Sequence, residues 1–303
     1  MGIPRAVARL LLDEARERPF GGALLQLGRS TVYVRDDELS RWAAEQGAPL
    51  AAGVEPELSH VPELAAQGCL SDRAFFRRLG FERVDSLDVS DWEGVDLVHD
   101  LNRPVPADWR ERYDAVFEAG TLQHVFHLPN ALASLHALLR PGGRAIHGMA
   151  TSNNHVDHGF YMFSPTLFHD FYEANGWRLD AEYFFEFSAV WVRGRFASPR
   201  WKIRRYTPGC LDHLAYGGFG GGQTALYVAA TKLEGATGDR APQQGYFRRT
   251  WPELEAQGLG KPSAPATPVR AARPPAALYL WKRLRAAVVR RLPRRLPPVH
   301  RRY

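Results

Sequence analysis

Three places in this 303-residue chain set chemically versatile side chains where a turn would expose them. Asp88 closes the run VDSLD and Asp100 closes VDLVHD, two short alternations of apolar and polar residues that read as strands. A carboxylate at a strand end can accept both hydroxyl hydrogens of a ribose, and Asp100 with Asn102 can reach an adenine edge. Either acid alone equally serves as a helix cap or turn former. Gly28 ends an earlier run, LLQL, where the missing side chain lets backbone approach a ligand or simply turns the chain. The third place spans positions 153–161 and carries Asn153, Asn154, His155, Asp157, His158 and Tyr161. Groups that donate, accept and transfer protons suit an acceptor substrate. The His158 imidazole, near neutrality, can take a proton from a hydroxyl, or it can hold its loop through a hydrogen bond. His155, Asp157, His158 and His169 match no closed metal-site spacing, and no cysteine joins them, so no metal is expected.

The stretch that must position these groups runs from Tyr113 to Gly143. It reads as a strand through Ala115 to Phe117, a small-residue turn at Gly120 and Thr121, and an amphipathic helix closed by Pro141 and two glycines. Arg144 to Met149 follows as the next strand. A helix between two strands is the mark of a parallel sheet, whose ligands sit at the carboxyl ends of the strands, here Glu118 to Gln123. His124 and His127 fall on the opening turn of that helix, in packing or capping roles, with His124 able to line the pocket. Further helices are expected over Asp37 to Gln46, from a Ser71 cap to a Gly80 stop, and from Ser164 and Pro165 to Gly176. Strands are expected over 178–192 and 223–232. The GGFGGG run at 217–222 precedes a strand instead of opening a helix, so it reads as a turn and not a phosphate loop.

Composition bounds the rest. A 45% hydrophobic share fills a core, and two distant cysteines, Cys69 and Cys210, fit a reducing compartment, so a cytoplasmic location is expected. The first 20 residues hold too short an apolar run for a signal peptide and read as a helix. The net charge of +6 is uneven: eleven Lys and Arg and no acid lie from Arg270 onward, leaving a mildly acidic body. That asymmetry argues against a globular nucleic-acid-binding domain. Glycine, proline and alanine mark 236–272 as a linker around one short helix at TWPELEAQGL. The segment 273–303 places Leu280, Trp281, Leu284 and Val288 on one helical face with basic residues opposite, suited to an anionic membrane surface, a protein groove or no partner at all.

Together the ordered motifs resemble class I S-adenosylmethionine-dependent methyltransferases. The chain is similar to a bacterial methyltransferase-like group with DLN, GTLEHVF, NN, HGFY and FSP; here these stand as DLN at 100–102, GTLQHVF at 120–126, Asn153 and Asn154, and HGFYMFSP at 158–165. The resemblance covers about residues 20–233 and implies a Rossmann-like α/β domain over 1–235, with a seven-stranded, mostly parallel sheet and helices on both faces. It implies S-adenosylmethionine as cofactor, held by Gly28 and Arg29 at the methionine portion, Asp88 at the ribose, Asp100, Leu101 and Asn102 at the adenine, and Gly120 with Thr121 at the floor. Glu118 and His158 are the expected groups for substrate contact and proton removal, with Gln123, His124, Asn153, Asn154, His155 and Tyr161 lining the acceptor. The acceptor is expected to be a small molecule or glycan, the latter in surface-polysaccharide chemistry. A fold that lost its glycine-rich loop and binds a nucleotide, glycan or partner enzyme is the competing expectation. The chain departs from the pattern twice: Gly28 is followed by Arg29, and Gln123 replaces an acid.

Overall fold

The computed structural model describes residues 2–187, 190–192, 195–197, 201–214, 222–256 and 296–302. In chain order these form β1 (Gly2–Ile3), α1 (Arg5–Glu17), β2 (Ala23–Leu27), β3 (Thr31–Val32), α2 (Asp36–Gln46), α3 (Pro62–Ala65), α4 (Asp72–Arg78), β4 (Arg83–Asp88), β5 (Leu97–Val98) and β6 (Tyr113–Glu118). The chain continues through α5 (Leu128–Leu138), β7 (Leu139–Thr151), α6 (Pro165–Ala174), β8 (Arg178–Phe187), β9 (Val190–Val192), β10 (Arg195–Ala197), β11 (Lys202–Arg205), β12 (Gln223–Thr231), α7 (Gly245–Ala256) and β13 (Arg301–Arg302). Local chemistry sets several boundaries. The Ser71 hydroxyl accepts from the Ala74 N–H to start α4, and Gly47 ends α2 in the left-handed conformation.

The sheet runs β13-β11-β8-β12-β7-β6-β2-β4-β5. From β5 to β7 all neighbours are parallel, and β12 enters reversed between β7 and β8. Seven of these strands make the expected sheet, and β11 and β13 extend its far edge to nine. Successive residues of the buried strands face opposite sides. Leu24, Ala115 and Ile146 join α1, α2 and α4 in one core, while Leu25, Val116 and Ala145 join α5 and α6 in the other. Order reverses between β4-β2 and β6-β7, the switch point at which an open α/β sheet leaves a crevice.

Two expectations change here. The helix of the central stretch ends at Leu138, before Pro141, and the chain passes straight into β7. Residues 296–302 are not a free tail: β13 pairs antiparallel with β11, the His300 N–H donates to the Ile203 carbonyl at 2.7 Å, and Arg301 meets Asp13 at 2.8 Å. The edge strand β11 gains a partner that satisfies its open backbone groups. The basic helical face expected over 277–292 and most of GGFGGG lie outside the described residues. Among the described residues no helix is long and apolar enough to cross a membrane.

On α1, burial pushes the Glu14 carboxyl up to about 7, against the pull of Arg144. The folded chain therefore holds this proton more tightly than the unfolded chain, and the stability it contributes is lost as pH rises from 4.5 through 7. Glu14→Gln is expected to gain about 1–3 kcal/mol at alkaline pH, with the gain fading in mild acid. Urea unfolding at two pH values measures it, and an equal effect at both would refute the assignment.

Candidate active site

The register brings three strand ends side by side: Leu27 pairs with Leu87 on one side and with Glu118 on the other, and Glu118 pairs with His147. Gly28 leaves β2 at φ 73°, which favours glycine, and its N–H donates to the Leu87 carbonyl at 2.7 Å. Beside it the Asp88 carboxylate is half-buried and accepts the Val89 N–H at 2.6 Å through one oxygen. Its other oxygen has no protein partner among the described residues. Val89, which sequence reasoning passed over, is 65% exposed next to it and offers an apolar surface at the crevice. Across β2, Thr121 donates its hydroxyl to the Leu27 carbonyl at 2.6 Å, fixing the Gly120-Thr121 turn against the same edge.

Glu118 is a correction. It is 1% exposed, so it cannot meet a substrate. One carboxylate oxygen accepts the Gly120 and Thr121 N–H groups at 2.8 and 2.9 Å, and the other lies 3.0 Å from His147 Nδ1. Burial alone would raise its pKa, yet His147 and the two backbone donors outweigh it and hold the carboxyl below its ordinary value. Burial also drives the Tyr172 hydroxyl's pKa upward, so it stays protonated; it lies 2.7 Å from His147 Nε2. The assignment that satisfies every atom runs one way: Tyr172 donates to His147, and His147 donates to Glu118.

Arg29 is also put to another use than the cofactor's methionine end. Its guanidinium forks onto Asp72, which is fully buried, at 2.6 and 2.8 Å, and Gln26 donates to the same carboxylate at 2.6 Å. In DLN only Leu101 turns inward, and the two polar side chains bond to their own loop. Asp100 accepts the Asn102 backbone and side-chain N–H groups at 2.9 and 2.7 Å, which lowers its pKa, and Leu101 is buried in the α5 core. Asn102 then accepts the His127 N–H at 2.9 Å, latching this loop to the start of α5.

The loop after β7 folds back over the turn that follows β6. Phe160 N–H donates to the Gln123 carbonyl at 2.7 Å, and a Cβ on Gly159, at φ 94°, would lie 2.8 Å from that oxygen. The His124 and His158 rings stand 5.3 Å apart, and His155 lies 6.1 Å from His158. Burial and then the neighbouring His158 lower the pKa of both His124 and His155, so both are neutral near pH 7. Gln123 Oε1 and His155 Nε2 are buried without a hydrogen-bond partner among the described residues. Asn154 donates to the Gly222 carbonyl at 2.7 Å, and Tyr161 donates to the Phe126 carbonyl at 2.6 Å. Asn153 opens instead on a cavity of about 610 Å³. His169 lies on α6, apart from this loop, paired with Glu182 at 3.0 Å.

No protein-family model and no curated protein sequence matches the chain. Among solved structures it is similar to the YcgJ protein of Bacillus subtilis, with 12% identity over 76% of this chain and 100% of that one, at a TM-score of 0.39. It is also similar to the 1,6-didemethyltoxoflavin-N1-methyltransferase of Burkholderia thailandensis with bound substrate and S-adenosylhomocysteine, with 16% identity over 76% and 79% of the chains, at a TM-score of 0.32. Neither likeness is close enough to carry a function to this chain, so function rests on the site's own geometry.

Proposed function

We propose that this chain is an S-adenosylmethionine-dependent methyltransferase acting on an oxygen or nitrogen of a small molecule. The observation that carries the reading is the convergence of Gly28, Asp88 and the Gly120-Thr121 turn at three adjacent strand ends, where the loop after β7, which also lines a cavity at Asn153, folds back over the turn that follows β6. The Asp88 oxygen left without a protein partner suits a ribose hydroxyl, Val89 suits the face of the adenine, and Gly28 keeps a side chain out of the crevice. Arg29 is held by Asp72, so backbone donors of the turn after β2 would take the methionine end.

The bound cofactor supplies an electrophilic methyl carbon. The protein aligns the acceptor with it and removes the acceptor's proton, work that asks for positioning more than covalent chemistry. His158, exposed on the loop after β7, is the proposed proton acceptor, with His155 and Gln123 lining the acceptor side. The motif resemblance alone would point to a surface-polysaccharide glycan as the acceptor, and the cavity lining favours an aromatic one instead. A cytoplasmic enzyme whose basic segment touches an anionic membrane from 273 onward belongs to the same proposal, and flotation with anionic liposomes with and without residues 270–295 tests it. Equal flotation of both forms would end it.

Calorimetric titration with S-adenosylmethionine and S-adenosylhomocysteine tests the main reading. The intact chain should bind both in the micromolar range, and Asp88→Ala should weaken binding about 10-fold or more, the scale of a lost charge-assisted hydrogen bond. No binding by the intact chain would leave a methyltransferase-like fold that binds something else.

A further inference from the structure

The cavity of about 610 Å³ was not foreseen from the sequence, because its walls come from the loop after β7, from β8 and β12, from the segment after β11 and from the start of α7. Resting on the methyl-transfer reading, we propose that this cavity is the acceptor site and that it takes a neutral, planar aromatic alcohol or amine. Its volume lies in the range that buries most of a drug-sized molecule.

Charge narrows the ligand first. Among the described residues Asp212 and Arg249 are the charged side chains of the lining, and they face one another at 3.4 Å, so these residues offer neither an unpaired cation nor an unpaired anion. A sugar nucleotide or other phosphorylated acceptor would find no free counter-charge among the described lining residues.

The floor narrows it further. Phe163, Phe184 and Tyr206 are 4%, 1% and 6% exposed, and on the rim Tyr246 and Phe247 are 43% and 38% exposed. A flat aromatic ring fills such a slot with offset-stacked or edge contacts. A hexose carries hydroxyls around its whole edge, and those facing Phe163 and Phe184 would lose water without gaining a partner. Polar side chains line it as well: Ser152, Asn153 and Thr224 lead toward His155, with the Thr224 hydroxyl accepting the Asn153 N–H at 2.8 Å, and Ser164, Thr166 and Gln244 complete the polar lining. In the proposed pose the ring lies against Phe163 and Phe184 and one hydroxyl or amine points to Ser152 and Asn153, the part of the lining that runs into the loop of imidazoles.

The test uses the full chain and 2-naphthol, a neutral bicyclic phenol followed by its own fluorescence, with methyl β-glucoside as the competitor of the other class. Saturable binding that the glucoside does not displace is expected. Tyr246→Ala/Phe247→Ala removes two exposed rim rings without touching a buried side chain, and should weaken 2-naphthol about tenfold or more. Absence of saturable binding, displacement by the glucoside, or unchanged affinity in a double variant with wild-type unfolding would each overturn the assignment. A parallel titration with S-adenosylmethionine separates the two readings. Naphthol bound by a chain that ignores the cofactor would keep the aromatic cavity and remove methyl transfer, whereas cofactor bound by a chain that ignores naphthol would do the reverse.

Discussion

Glu118→Ala is expected to destabilise the fold by about 3–5 kcal/mol, the scale for removing one partner from a buried, charged hydrogen-bond set. The substitution strands the Gly120 and Thr121 N–H groups and His147 Nδ1, and the chain that starts at Tyr172 loses its terminus. Because the carboxyl's pKa is depressed, its contribution is full above the unfolded value of 4.5 and is lost as pH falls through the lower folded value. Glu118→Gln should therefore lose less in acid than at neutral pH relative to the parent. Urea midpoints across pH measure this. A Glu118→Ala protein as stable as the parent but devoid of turnover would reverse the assignment and return Glu118 to a chemical role.

Arg29→Ala should cost a similar amount, about 3–5 kcal/mol, by leaving the Asp72 carboxylate buried with only Gln26 for company. The double replacement Arg29→Ala/Asp72→Ala removes both charges and should recover a large part of that loss, so the cycle should return a coupling of about 2 kcal/mol or more. Arg29→Lys should recover little, since an ammonium cannot reproduce the fork. Additive single effects would mean that the pair does not hold the turn after β2, and would free Arg29 for the methionine end of the cofactor.

These two groups also show where sequence reasoning stops. Alternation and caps made β2, α2, α4, β4, β6, α6 and β12 legible, because each is signalled by its own residues. The strand-end positions of Gly28, Asp88 and Gly120 followed from that order. Glu118 read as a substrate-contacting acid because its partner His147 is 29 residues away, and the fork between Arg29 and Asp72 spans 43. Neither separation leaves a local pattern. β13 adds two residues to the edge at β11, too few for any periodicity, and the aromatic cavity is assembled from segments that are unremarkable one at a time. DLN was legible as a motif but not as a latch, since the His127 N–H that Asn102 caps is decided by how α5 begins.

In the proposed enzyme a nucleoside cofactor occupies the crevice between the ends of β4, β2 and β6. Amide hydrogen exchange with and without S-adenosylhomocysteine tests it most directly, because it reports where the ligand sits as well as whether it binds. Slowed exchange is expected at Gly28, at Asp88 and Val89, and at Gly120 and Thr121, with the β11 edge unchanged. Unchanged exchange at all three strand ends, or protection confined to another part of the chain, would contradict it.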